Sequence, residues 1–284
     1  MAILTLLTTG DEAELERFLI AHADSSMFLR ANARKGGLVD GGERLQGTYV
    51  AAREGGAIIA VAASCWNGMV IVQGRSDAVG DAAREAAARS GRAVKGFSGP
   101  YAQVVAARAA LGLAQRPAQI DSREDLFALA LDELRVPVAL ADGRWSCRHP
   151  IAADRALLAG WSYEYEIEAL GFEHTAEREQ QALVSYELAT SAWLLVVDGE
   201  PVARSGFNAE LPDCVQIGGV YTPPALRGRG YARAVVAGSL VDARARGVTR
   251  SILFTPHDNI AARTAYLALG YRIVGDYGLV LFDV

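Results

Sequence analysis

The sequence predicts two related α/β domains, and three observations carry that prediction. An order of helices, three strands and then helix–strand–helix occurs twice, at similar spacing. Turn signals stand where hairpins need them, at Glu54-Gly55-Gly56, Asn67-Gly68 and Asp198-Gly199. The 284 residues, 51% hydrophobic and 21% charged, have the balance of a folded chain with a sizeable core and the length for two ordinary domains.

In the first half, apolar periodicity predicts an amphipathic helix over 12–23 and a second over 28–35. Strands follow over 48–53, 57–65 and 69–73, the last entered through Asn67-Gly68, whose residue types favour the positive φ angles of a tight hairpin. A helix over 77–89 stops at Gly91, a strand covers 94–97, and a helix over 101–111 is closed by Gly112. The second half repeats this order. Helices over 152–170 and 176–188 precede strands over 193–197, 202–208 and 214–220. A long helix over 229–246 carries Arg244 and Arg246 in its last turn, where the dipole favours cations. A strand over 251–255, a helix over 259–269 closed by Gly270, and final strands within 271–282 complete the chain. The boundary is expected near Arg135, dividing 1–135 from 136–284.

Composition narrows the functional classes. A net charge of −5 argues against a broad nucleic-acid-binding surface. Cys65, Cys147 and Cys214 are far apart and odd in number, and read as reduced thiols of a cytoplasmic protein. His22, His149, His174 and His257 are equally scattered, so no metal site is expected. The N-terminus turns acidic without a basic leader region and reads as no signal peptide, and no apolar run has the length of a membrane span. Lys35 and Lys95 are the only lysines among 28 basic residues, a skew that suggests a GC-rich bacterial genome.

The densest chemical signal lies in IGGVYTPPALRGRGYARAVVAG, 217–238. An apolar strand ends at Val220, passes Tyr221-Thr222-Pro223-Pro224, and meets Arg227-Gly228-Arg229-Gly230-Tyr231-Ala232-Arg233 at the start of a long helix. First-turn amides have no partner inside a helix, and the dipole puts positive potential there. Gly228 and Gly230 let the backbone turn those amides toward a ligand, and Arg227 and Arg229 add charge at the rim. Together these predict an anion site at a helix N-terminus. It is neither a Walker loop, lacking the closing Gly-Lys-Ser/Thr, nor the dinucleotide fingerprint, since Arg233 stands where the third glycine is required.

Arg227-x-x-Gly230-x-Ala232, with Val220-Tyr221-Thr222 before it, resembles the pyrophosphate-binding motif of the GNAT superfamily of acyl-CoA-dependent N-acetyltransferases. A second stretch, Asn259 to Tyr266 followed by Leu269-Gly270-Tyr271, is similar to the family's Asn…Ala…Tyr helix. The likeness covers most of the second half and looks like a bacterial subfamily with two fused GNAT-like domains. It implies, in each domain, a central mixed, mostly antiparallel twisted sheet flanked by helices. It implies acetyl-CoA as cosubstrate, an amine as acceptor, no metal, no nucleic acid and no membrane, in a monomer or homodimer. Under it, the amides of Gly228 to Arg233 bind pyrophosphate, Val220–Thr222 and Asn259 contact the pantetheine arm, a backbone N–H near Val220 holds the oxyanion, and Tyr266 is the acid for the leaving thiolate.

The base is less defined. Trp161, Tyr165 and Glu168 share one helix face, and Glu168 is the candidate at the acceptor site, ahead of Glu164, Asn208 and Gln216; Glu210 and Asp213 fall in a polar turn. In the first half the corresponding stretch, Gln73 to Asp81, carries Asp77 and Asp81 where a pyrophosphate would sit, so that domain is expected not to bind CoA. An acyl-CoA sensor without productive catalysis is an alternative, and the resemblance to mycothiol synthase, another tandem protein, is architectural only.

Overall fold

The computed structural model describes residues 2–186 and 191–282. The chain forms two compact units, Met1–Leu126 with Val274–Val284, and Phe127–Ile273. The first opens with strand β1 (Ile3–Leu6) and helices α1 (Glu12–Ile20) and α2 (Met27–Gly36), followed by β2 (Gly47–Glu54), β3 (Ala57–Cys65) and β4 (Met69–Gly74). Helix α3 (Ser76–Ser90), strand β5 (Gly96–Pro100) and helix α4 (Tyr101–Ala110) complete the expected helix–strand–helix, and β6 (Ala118–Ala130) carries the chain into the second unit. There the order is α5 (Val138–Ala141), β7 (Trp145–Arg148), α6 (Arg155–Leu170), α7 (Ala176–Ser185), β8 (Ala192–Val197), β9 (Glu200–Glu210) and β10 (Cys214–Tyr221). Then come α8 (Tyr231–Ala245), β11 (Arg250–Pro256) and α9 (Ile260–Leu269), and β12 (Arg272–Phe282) returns the chain to the first unit.

Strands of the first unit lie in the order β1-β2-β3-β4-β5-β12, and those of the second in the order β6-β11-β10-β9-β8-β7. Hairpin pairs are antiparallel, while β4 runs parallel to β5 and β10 parallel to β11. Each unit is thus a mixed, mostly antiparallel sheet carrying helices, as the sequence pattern and the resemblance led us to expect.

Several expectations are corrected. The β3–β4 hairpin forms, but only Gly68 has positive φ (81°), while the Asn67 side chain accepts a bond from the Met69 N–H. Strands β1, β6 and β7 were not expected. β1 and β7 are short, and the first part of β6 is exposed and interleaved with charge, so none carries a buried apolar signature. The compact units divide at Phe127, within β6, whereas the sequence pattern puts a boundary near Arg135. The C-terminal strand also leaves the second unit: Tyr277–Leu281 pairs with Pro100–Gly96 of β5, and Tyr277 shares a hydrogen bond with Ser98 (2.9 Å). Order along a sequence cannot report such a return. The predicted helix over 176–188 is described as Ala176–Ser185, and its expected last residues fall in part outside the described ones.

Burial explains how α8 is held. Its residues Ala234, Val235, Val236, Ala237 and Leu240 are fully buried, Val236, Ala237 and Leu240 against β10, β11 and α9, Ala234 and Val235 against Trp193 and Ala203. Small and β-branched side chains let the helix lie close to the sheet on two flanks, which fixes where its N-terminus points. No helix of the described residues is long and apolar enough to cross a membrane.

In β6, burial pushes the Glu124 carboxyl up from 4.5 to about 7, against a hydrogen bond from Ser122 that lowers it. The folded protein therefore holds this proton more tightly than the unfolded chain. The resulting stabilisation is full below pH 4.5 and lost as the pH rises through about 7. Urea unfolding should show wild type losing stability between pH 4.5 and 7.5 relative to Glu124→Gln, by at most on the order of 3 kcal/mol. Parallel pH profiles for the two proteins would remove Glu124 from this role.

Candidate active site

The site begins where β10 leaves its neighbours. Its parallel pairing with β11 covers Cys214–Gln216 against Arg250–Ile252, although β10 continues to Tyr221 and β11 to Pro256. On the other side the ladder with β9 is irregular twice. Gln216 pairs with Ala209 and Ile217 with Phe207, leaving Asn208 as an extra residue on β9. Gly218 then pairs with Gly206 and Tyr221 with Arg204, leaving an extra residue on β10 between them. Bulges of this kind bend a strand and free backbone groups from the ladder. Gly218 leaves room for the Asn208 side chain at the first bulge: a Cβ there would lie 2.0 Å from its nitrogen and would displace it. Val220 therefore lies in a stretch without a regular partner on β9 and beyond the recorded pairing with β11.

Beyond Tyr221, a 3-10 turn at Pro224–Leu226 leads into the basic loop and α8. Gly228 (φ 77°) and Gly230 (φ 82°) occupy left-handed conformations that L side chains rarely adopt. A Cβ on Gly228 would meet nothing within 4 Å, and one on Gly230 only the Arg233 guanidinium at 3.7 Å. Both face open space, so the glycines are needed for conformation and leave room over the helix end. The bond from the Ala234 N–H to the Gly230 carbonyl is 3.1 Å, and the amides of Tyr231, Ala232 and Arg233 precede it without an intrahelical acceptor. Arg227, Arg229 and Arg233 are exposed around them. Free amides, room and positive charge coincide, and this donor set fits a pyrophosphate.

The structure refines several expected roles. Tyr231 has only its backbone to offer a ligand: its ring is buried edge-on to Trp145 at 5.2 Å, because a helix start docked on a core must point that position inward. Tyr221 is buried against Trp161, Leu158 and Leu194, and Trp161 is core, with its ring 6.2 Å from Tyr221. Thr222 is buried, its hydroxyl has no described partner, and its carbonyl accepts a bond from Arg227 Nε (2.9 Å). Asn259 caps α9, its side chain accepting from the Ala262 N–H (3.1 Å). Gln216 is buried, with Oε1 unpartnered.

Glu168, the expected acceptor-site carboxylate, instead embraces Arg227 through both oxygens at 2.7 and 2.5 Å. Both side chains are about half exposed, and the pair ties α6 to the basic loop. Sequence spacing placed Glu168 correctly on the face with Trp161 and Tyr165, but it could not show an arginine fifty-nine positions on waiting beside it. Tyr266 is buried among Phe127 and Tyr271, with ring centroids at 6.0 and 5.9 Å. Burial raises its pKa well beyond the ordinary phenol value, and nearby Tyr165 of α6 raises it further. The phenol stays protonated throughout the neutral range.

One charged group of this region carried no expectation. Arg204 of β9 donates to Ser162 Oγ of α6 at 2.5 Å and lies 5.7 Å from the Tyr165 ring. The only sequence signal for it is a lone arginine inside the apolar strand Pro-Val-Ala-Arg-Ser-Gly-Phe. In the first unit, Asp77 at the corresponding helix start is paired with Arg75 (2.9 Å), and Arg75 also holds Glu54 (2.6 Å).

Comparison with known proteins bears on the family and the fold. Residues 159–271 match the model described as Acetyltransferase (GNAT) family, so the chain contains a GNAT acetyltransferase domain. Among solved structures, a Drosophila protein shares the fold at 13% identity and TM-score 0.62, with 99% of each chain covered. A GCN5-related N-acetyltransferase from Sphaerobacter thermophilus shares it at 18% identity and TM-score 0.56, covering 98% of this chain and 94% of that one. A tandem GNAT protein from the clavulanic acid biosynthesis pathway does so at 13% identity and TM-score 0.51, covering 99% and 97%. No curated protein matches the chain.

The Glu168–Arg227 pair is solvent-exposed at both ends, so its energy is small despite its bidentate geometry. A double-mutant cycle with Glu168→Gln and Arg227→Gln, read by urea unfolding, should give a coupling below about 1 kcal/mol that shrinks further in high salt.

Proposed function

We propose that this chain is an acetyl-CoA-dependent N-acetyltransferase, that its chemistry resides in the Phe127–Ile273 unit, and that its acceptor is a small-molecule amine. The observation that carries the reading is the alignment of the free first-turn amides of α8 with the bare end of β10. Acetyl-CoA, when bound, supplies an activated thioester. The amides from Gly228 to Arg233 and the surrounding arginines are suited to hold its pyrophosphate. The Val220 backbone, free of a regular ladder, is placed to donate to an oxyanion. Thr222 and Asn259 lie along the path of a pantetheine arm, Asn259 through its capped helix start.

Tyr266 keeps its proton at the hydroxyl oxygen. With its pKa raised far above a thiol's ordinary value of about 8.5, complete transfer is uphill, and the phenol is best suited to donate a hydrogen bond that offsets charge developing on the leaving sulfur. The first unit, with Asp77 in the first turn of its helix α3 and Asp81 in the next, takes no CoA in this reading, consistent with a tandem protein in which one domain has lost the cradle. Residence in the cytoplasm of a bacterium fits the reduced thiols and the arginine-rich composition.

A second reading, an acyl-CoA sensor, draws on Glu168, whose carboxylate is engaged by Arg227 rather than free to act as a base. Slow acetyl-CoA hydrolysis without transfer to any of a broad panel of amines would favour it.

Acetyl-CoA should raise the melting temperature of the wild type, and Gly230→Glu, which strains the loop and places a carboxylate over the amides, should abolish the shift; an unresponsive wild type overturns the reading. Tyr266→Phe should lower kcat by about 10²-fold while acetyl-CoA affinity stays within about twofold. Unchanged turnover would remove Tyr266 from the reaction.

A further inference from the structure

Arg204 is a largely enclosed guanidinium with no ion-pair partner among the described residues. Its described partners are neutral: Ser162 Oγ accepts from one terminal nitrogen, and the Tyr186 side chain is a hydrogen-bond partner. Its Nε is buried and has no hydrogen-bond partner, and no carboxylate among the described residues forms an ion pair with it. The Glu166 carboxylate of α6 acts on it as a charge, without an ion pair. Burial disfavours the charged form, yet arginine does not discharge in proteins, so the cost of an uncompensated cation remains. The more exposed arginines of the same unit, Arg148 and Arg227, each hold an acid, Asp154 (2.6 Å) and Glu168.

Its place in the fold is equally specific. Arg204 pairs with Tyr221 across the β10 bulge, and its other terminal nitrogen lies 3.8 Å from where a Cβ on Gly219 would sit. Gly219 immediately precedes Val220, whose backbone faces the reacting centre in the reading above. The ring of Tyr165 lies beside Arg204 and also acts on Tyr266. The cation therefore lies beside the interrupted stretch of β10, on its α6 flank. Thr222, next to its strand partner Tyr221, likewise has a buried hydroxyl without a hydrogen-bond partner among the described residues.

We infer that the acceptor amine carries a carboxylate and that Arg204 is the specificity-determining residue that anchors it, with Ser162, Tyr165 and Tyr186 around the anchor. This rests on the acetyltransferase reading for the identity of the ligand, but the anion site itself does not require turnover. A carboxylate supplies the missing counter-charge and accepts charge-assisted hydrogen bonds from the fork of the guanidinium. A purely structural clamp between β9 and α6 would need only the bond to Ser162.

The test compares amino acids with their carboxamides and with aminophosphonates as acceptors for the full chain. The carboxylate member of each set should show at least about a tenfold higher kcat/KM than its carboxamide, most of it in KM. Arg204→Gln should bring that ratio to about one while leaving the acetyl-CoA thermal shift intact, and Arg204→Lys should keep part of it. In parallel, N-acetylated amino acids, with and without CoA, should raise the melting temperature of the wild type more than their carboxamides do, and Arg204→Gln should erase the difference. Equal behaviour of acid and amide in both assays overturns the proposal, as does a preference that survives in Arg204→Gln or one that favours the phosphonates. A wild type that ignores acetyl-CoA but is protected by the carboxylates sinks the acetyltransferase reading and leaves the anion anchor standing.

Discussion

The second unit depends on how little of β10 is paired. Its parallel ladder with β11 stops at Gln216, and its antiparallel ladder with β9 is broken on either side of Gly218. A fully paired central strand would have every amide and carbonyl committed and no gap beside it. Here the ladder is interrupted, and Gly219 and Val220 are left between the pairs of Gly218 and Tyr221 without a regular partner on β9. The cost of an interrupted ladder is offset by the core beneath it, where Val215 and Ile217 pack with Val236, Ala237, Leu253 and Leu269.

Helix α8 makes the second contribution. Because its middle is buried on two flanks, its N-terminus is held in one place, immediately after the bent strand. The dipole, the free amides and the arginines then act at a fixed point rather than on a mobile loop. The exposed Glu168–Arg227 pair ties α6 to the same loop. Backbone from β10 and amides from α8 thus form one continuous polar track, with the buried phenol of Tyr266 in the core of the same unit, supplied by α9.

The α6 flank of this track has a different chemistry. Three aromatic side chains, Tyr165, Tyr186 and Tyr221, accompany a single buried guanidinium there. An apolar wall with one fixed charge is a common way to orient a small ligand: the wall supplies burial, and the charge supplies register. The two ends of the proposed site consequently differ, with amides and exposed arginines at one and an enclosed arginine at the other.

The sequence by itself determined the parts whose physics is local. Gly228 and Gly230 between a strand and a helix, ringed by arginines, imply free amides with positive potential, and the structure has them. Alternating apolar runs and turn residues fixed most strands and helices, as well as the repeated order of the two halves. Short or charge-interleaved strands such as β1, β6 and β7 lacked that periodic signal and went unseen. Tertiary structure alone decided the rest, since it arises between residues far apart in the chain. It turned Tyr231 into the core, gave Glu168 to Arg227, returned β12 to the first unit, and left Arg204 enclosed without a described acid beside it. Pairing, burial and desolvation depend on which groups meet, and no spacing along the chain encodes that meeting.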